Sequence, residues 1–137
     1  MHSSEPYIVA AVIVLALLLL LWWGRARSIR REKEIVASRA FDTLETFVAS
    51  FRPEVRPIAR AVYAEFQNYS AGGQFPFRKS DNVAQILRID KIDVDDALNE
   101  VARQFACRKP SEEDDSKFRG RATLEDYVEF LHQLKPA

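Results

Sequence analysis

Tyr7 to Trp23 reads YIVAAVIVLALLLLLWW, seventeen residues without a charge or a polar amide. No other stretch restricts the fold so strongly. A helix apolar all round cannot lie on the surface of a water-soluble domain, where one face must stay polar. At about 1.5 Å per residue the run gives about 25 Å of helix, the short end of what spans a bilayer. Pro6 suits a first helical position, where its missing N–H costs nothing. Tyr7 at one end and Trp22–Trp23 at the other place amphipathic rings at headgroup level. The competing reading is a cleaved signal peptide. That needs a basic stretch before the apolar run and a small-residue cleavage site after it. Met1–Pro6 carries no base, and the run ends in WWGRAR.

Charge distribution sets the expected orientation. Residues 1–24 hold no Lys or Arg and one acid, Glu5. Residues 25–33 hold five bases (Arg25, Arg27, Arg30, Arg31, Lys33) against Glu32. From residue 34 onward 15 bases face 18 acids. Basic flanks stay on the cytoplasmic side. The expectation is therefore N-out and C-in, with a soluble part in the cytoplasm and a bacterial cytoplasmic membrane as the setting. Tyr7, Trp22, Trp23, Arg25, Arg27, Arg30 and Arg31 are the expected anchoring residues, and the lipid bilayer the first partner. The collar either sets topology alone or also meets anionic headgroups. A net charge of +0 gives no global attraction to nucleic acid, and no such partner is expected. One cysteine, Cys107, forms no internal disulfide, which fits a reducing compartment.

The expected organisation is a short extracytoplasmic tail (1–6), a transmembrane helix (7–23), a basic juxtamembrane segment with an amphipathic helix (24–52), and a helical domain (53–137). Ala37, Phe41, Leu44, Val48 and Phe51 recur 4, 3, 4 and 3 apart, one apolar stripe on a helix over 28–51. The stripe fits packing onto the following domain better than a two-heptad coiled coil. Phe51-Arg-Pro53 ends or kinks that helix. Val55, Ile58, Val62, Phe66 and Tyr69 predict a second helix, from Pro53 or Pro57 to Tyr69. Residues 70–80 read as a loop pinned by Phe75 and Phe77. Ser80 or Asp81 is the expected cap of a short helix through Leu87. Asp93 is the expected cap of a helix over 94–106, with Asp95 and Asp96 in its first turn. Val94, Ala97, Leu98, Val101 and Phe105 face inward. Residues 107–122 read as a polar loop with Phe118 as an internal contact. Thr123 opens a last helix, with Asp126 in a capping-box position and Leu124, Tyr127, Val128, Leu131 and Leu134 as its apolar face. No strand pattern competes, so the fold class is all-α.

Signals for chemistry are sparse. A calcium loop needs oxygen ligands at alternate positions, Gly at the sixth and Glu at the twelfth. Counted from Asp93, the sixth is Leu98 and the twelfth Gln104; counted from Asp90, the third is Ile92. Neither register binds metal, and capping and solvation account for the acids. His2 and His132 are far apart, and His132 reads as a surface histidine. Cys107 reads as a structural thiol. No phosphate-binding glycine loop, zinc spacing or nucleophile elbow is present, so neither an enzyme nor a cofactor is expected.

The order VRPIARAVYAEFQNY, a loop over 70–89, IDKIDVDDALNEVARQF, a connection over 107–122 and TLEDYVEFL resembles the acyl carrier proteins across about 80 residues. The resemblance implies a small helical bundle whose acidic second helix recognises basic partners. It also implies phosphopantetheine on the Ser of an Asp-Ser-Leu motif. Here the matching residues are Asp90-Lys91-Ile92. A lysine amine cannot form that phosphodiester, and Ser80 stands in Lys-Ser-Asp. The expectation is a membrane-anchored, non-enzymatic adaptor domain that binds a protein with a basic surface through Asp90, Asp93, Asp95, Asp96 and Glu100. A plain solvated helix face is the competing reading of these acids. One alternative function is a structural or assembly subunit, forming a homo-oligomer or joining a membrane complex through the span and the 37–51 stripe. Another is a true carrier loaded on a different serine.

Overall fold

The computed structural model describes residues 4–136; His2 and the first half of the expected N-terminal tail lie outside that range. Seven α-helices follow one another: α1 Glu5–Ser38, α2 Leu44–Ala49, α3 Arg56–Gln67, α4 Val83–Leu87, α5 Lys91–Gln104, α6 Glu112–Phe118 and α7 Leu124–Leu134. The chain divides into two compact units, Met1–Ala37 and Ser38–Ala137.

The first unit is α1, a 34-residue helix that buries none of its residues. Its apolar run carries straight on through the basic collar, so the collar is helical too. The helix is long and apolar enough to cross a membrane or to act as a signal segment.

The second unit is built around α3, which packs on α2, α5 and α7. Val55, Ile58, Ala59, Val62 and Phe66 are fully buried. Their spacing makes one continuous face on α3 and the turn before it, which is why this helix becomes the centre. Both prolines sit where helices tolerate them. Pro53 opens a single 3₁₀ turn, Pro53–Val55, and Pro57 lies in the first turn of α3. The chain then loops through Gly73, at φ 71°, a left-handed conformation in which glycine has no Cβ to clash. Gln67 pins the return. Its side-chain amide donates to the Phe75 carbonyl at 2.7 Å, and its oxygen accepts from the Phe75 N–H. Phe75 and Phe77 are thereby held in the core, each 1% exposed. On α7, Leu124, Tyr127, Val128, Leu131 and Leu134 are all buried, behind a complete Thr123/Asp126 capping box.

Four sequence expectations need correction. The helix expected over 28–51 breaks at residues 39–43, and α2 starts afresh behind Thr43, whose hydroxyl accepts from the Thr46 N–H. Val48 and Phe51 are buried as expected, but Phe41 is 93% exposed, and Phe47 takes an inward place outside the stripe. The helix expected at 94 starts at Lys91, because Asp90 rather than Asp93 caps it, accepting from the Asp93 N–H at 2.9 Å. Asp95 and Asp96 therefore lie beyond the first turn. The cap of α4 is Asn82, not Ser80 or Asp81. Finally, residues 112–118 of the expected loop form α6. Ser111 caps it in a capping box with Asp114, and four acids occupy its first turn. The helix dipole favours that charge placement, and the helix needs no buried face of its own.

Candidate functional site

The expected partner-binding residues all belong to α5 or its cap. At about 100° per residue, the buried side of α5 is Val94, Ala97 and Val101. The carboxylates do not form one block on the remaining surface. Asp93, Asp96 and Glu100 follow one flank, on the side of Tyr69. Asp95 lies on the opposite flank, on the side of Tyr127. Two perturbed phenols report this division. Burial pushes the Tyr69 phenol up, and Glu65, Asp96 and Asp93 push it further. Burial also raises Tyr127, followed by the charges of Asp95 and Asp126. Between the flanks runs a ridge of exposed Ile92 (69% exposed) and Asn99. An apolar side chain left in water between carboxylates is the arrangement an interface uses: an anchor for area and a charged rim for orientation.

The five acids differ in availability. Glu100 is already engaged by the Arg103 guanidinium, which holds its carboxyl below the usual range. Asp90 caps the helix through one oxygen. Asp95 and Asp96 are exposed and enter no salt bridge among the described residues.

Lys91 is the first residue of α5 and is exposed. It occupies the place that the resemblance gives to the prosthetic-group serine. An amine there does not fit phosphopantetheine, which needs a hydroxyl for its phosphodiester. Ser80 is exposed in the segment before α4, outside the helix start.

Lys91 and Asp95 also edge an open groove of about 730 Å³ running from α5 to α6 and α7, floored by Val94, Leu98, Phe118 and Tyr127. Phe118 makes the internal contact expected of it, stacking on Phe130 at 4.4 Å between ring centroids and meeting Tyr127 at 5.5 Å with the rings tilted by 44°.

Sequence reasoning missed the strongest polar feature of this unit. Asp81 is the one buried charged residue among those described. Its carboxylate takes both guanidinium nitrogens of Arg39, at 2.7 and 2.9 Å, and the Arg78 backbone N–H at 2.7 Å. Arg39 also donates to the Pro76 carbonyl at 3.1 Å. The Asp81 carbonyl accepts from the Leu124 N–H at 3.0 Å, beside an isolated bridge between Asn82 and Thr123. The carboxylate thus joins Arg39, in the segment before α2, to the loop before α4, and the backbone carbonyl of the same residue joins that loop to the start of α7. A double hydrogen bond to a buried carboxylate compensates the desolvation of both charges. The Thr43/Thr46 capping pair opens α2 at Leu44, but no local signal points to the Arg39–Asp81 pair, whose members are 42 residues apart.

Another calcium-loop register appears in the second half of the unit. Starting from Asp115, Gly120 is sixth, at φ 83°, and Asp126 is twelfth. The third and fifth positions, however, are Lys117 and Arg119. Two cations at ligand positions are incompatible with a divalent ion. The Asp126 carboxylate is turned to the Thr123 N–H and hydroxyl instead. Among the described residues no three His, Cys, Asp or Glu converge on a metal position. Half-buried Cys107 donates its S–H to the Leu131 carbonyl at 3.5 Å. Burial pushes this thiol up and disfavours the thiolate, against the weaker opposing pull of the Lys135 charge. His132 is half-buried on α7 rather than fully on the surface.

In α1, Tyr7 (75% exposed), Trp22 (70%) and Trp23 (64%) present their rings outward. Arg25, Arg27, Arg30 and Arg31 continue the same helix, all exposed. No protein-family model, no curated protein and no solved structure matches this chain.

Proposed function

We propose that this protein is a membrane-anchored, non-enzymatic adaptor. In this reading α1 crosses the bilayer N-out and C-in. The Ser38–Ala137 unit is then a cytoplasmic, acyl-carrier-like domain without a prosthetic group that binds a basic protein surface. The observation that carries the reading is the exposed side of α5: Ile92 set between Asp95 on one flank and Asp93, Asp96 and Glu100 on the other. Carboxylates around an apolar anchor, with Asp95 and Asp96 exposed, steer and orient a cationic partner. Lys91 at the start of that helix supports recognition without cargo. The assembly-subunit alternative draws less support from the 37–51 stripe, since α1 ends at Ser38 and Phe41 does not share a face with Val48 and Phe51.

Intact mass of the full-length protein purified from its native membrane tests the absence of cargo. The adaptor reading expects the mass of the bare chain, allowing for the initiator Met. An added phosphopantetheine arm contradicts it and moves the attachment to one of the serines.

A further inference from the structure

The basic collar is continuous helix, and that fixes where its charges point. With Arg25 as origin, Lys33 lies about 80° round the axis, Arg30 about 140°, Arg27 about 200° and Arg31 about 240°. The widest gap between neighbouring bases is therefore about 120°, or about 140° for the four arginines without Lys33. A helix that docks a protein or a groove gathers its recognition residues on one side. Charges distributed on all sides suit a partner that surrounds the helix. A layer of anionic headgroups around a membrane-crossing helix is such a partner.

We infer that Arg25, Arg27, Arg30 and Arg31 form a ring that recruits anionic phospholipid headgroups around α1, beyond any effect on orientation. The inference rests on α1 being a span. Depth ranks the bases. Measured along the axis from Trp23, Arg25 is about 3 Å away, Arg27 about 6 Å, Arg31 about 12 Å and Lys33 about 15 Å. The surface potential decays over a Debye length of about 8 Å at physiological salt. Arg25 and Arg27 carry most of the preference, and Lys33 the least.

The two tryptophans of the chain, Trp22 and Trp23, adjoin the ring and report on the lipids beside it. The full-length protein is reconstituted in phosphatidylcholine vesicles containing a minor fraction of acyl-brominated lipid, either phosphatidylglycerol or phosphatidylcholine. Both leaflets have the same composition, so orientation does not affect the reading. Brominated phosphatidylglycerol is expected to quench as if enriched about fivefold, the preference of one base for one charged headgroup. The ratio falls towards one in Arg25→Gln/Arg27→Gln and in roughly 0.5 M salt, where screening shortens the reach. It changes little in Lys33→Gln. Equal quenching by the two lipids in the unaltered protein overturns the inference, as does a ratio that survives Arg25→Gln/Arg27→Gln. Quenching by neither lipid overturns the span itself and the inference with it.

Discussion

The two units obey one hydrophobic effect with opposite outcomes. In α1 every large apolar side chain from Tyr7 to Trp23 is more than half exposed. In Ser38–Ala137 the inward stripes of α3 (Ile58, Ala59, Val62, Phe66) and α7 (Leu124, Tyr127, Val128, Leu131, Leu134) are buried. The contrast follows from pattern. Apolar residues at every position leave no polar side to face water, the pattern of a helix long and apolar enough to cross a membrane or to act as a signal segment. Apolar residues at every third or fourth position make a stripe, and stripes satisfy one another. The second unit also contains a buried ion pair and five helices with side-chain caps, at Thr43, Asn82, Asp90, Ser111 and Thr123.

The contrast is open to attack at both ends, and the largest effect is expected in α1. Leu15→Arg/Leu18→Arg places two charges at the centre of the apolar run, about 6 kcal/mol against membrane insertion. Full-length protein then washes out of membranes with alkaline carbonate, while the unfolding of the second unit is unchanged. Retention of the variant in the membrane would break the distinction. Phe66→Ala attacks the other solvent choice. It removes a fully buried ring near the C-terminal end of α3, at a cost of about 4 kcal/mol read from the urea midpoint of the second unit, with membrane retention unaffected.

Asp81→Ala sharpens the comparison, since it isolates the one buried charge pair. It leaves Arg39 without its carboxylate and costs about 3 kcal/mol. Replacing Arg39 by Met in the same chain recovers part of the loss, and a double-mutant cycle measures the coupling. Thr123→Ala has the smallest effect, about 1 kcal/mol, through loss of the hydroxyl that accepts from the Asp126 N–H.

What the sequence made legible follows the same physics. The five apolar positions of α7 and its cap were readable because Thr123, Asp126 and the stripe lie within one short segment. The face Val55, Ile58, Val62, Phe66 was readable for the same reason. The start of α5 was misplaced because Asp90 and Asp93 are both capping residues. Choosing the earlier one puts the later at the third helical position, where an acid is equally suitable. Helix α6 is missed because EEDDSKF has no apolar period; caps and charge hold its start, and the single ring of Phe118 packs its end on Phe130. The break at 39–43 escaped because Arg39 finds its partner 42 residues away, and periodicity carries no information about such a contact. For the candidate site, the acids were legible as residues but their division into two flanks was not. That division depends on where the helix begins and which side α3 covers.

The central claim, that the exposed side of α5 holds a basic partner at the membrane, is tested most directly by cross-linking in the native membrane. A photoreactive side chain is placed at Asn99, on the ridge beside Ile92, and adducts are compared with and without Asp95→Lys/Asp96→Lys. Circular dichroism and thermal melting verify that the charge-reversed protein folds. One discrete protein adduct is expected, disappearing on charge reversal while the melting curve stays in place. An adduct that survives charge reversal, or no adduct from this ridge at all, would contradict the claim.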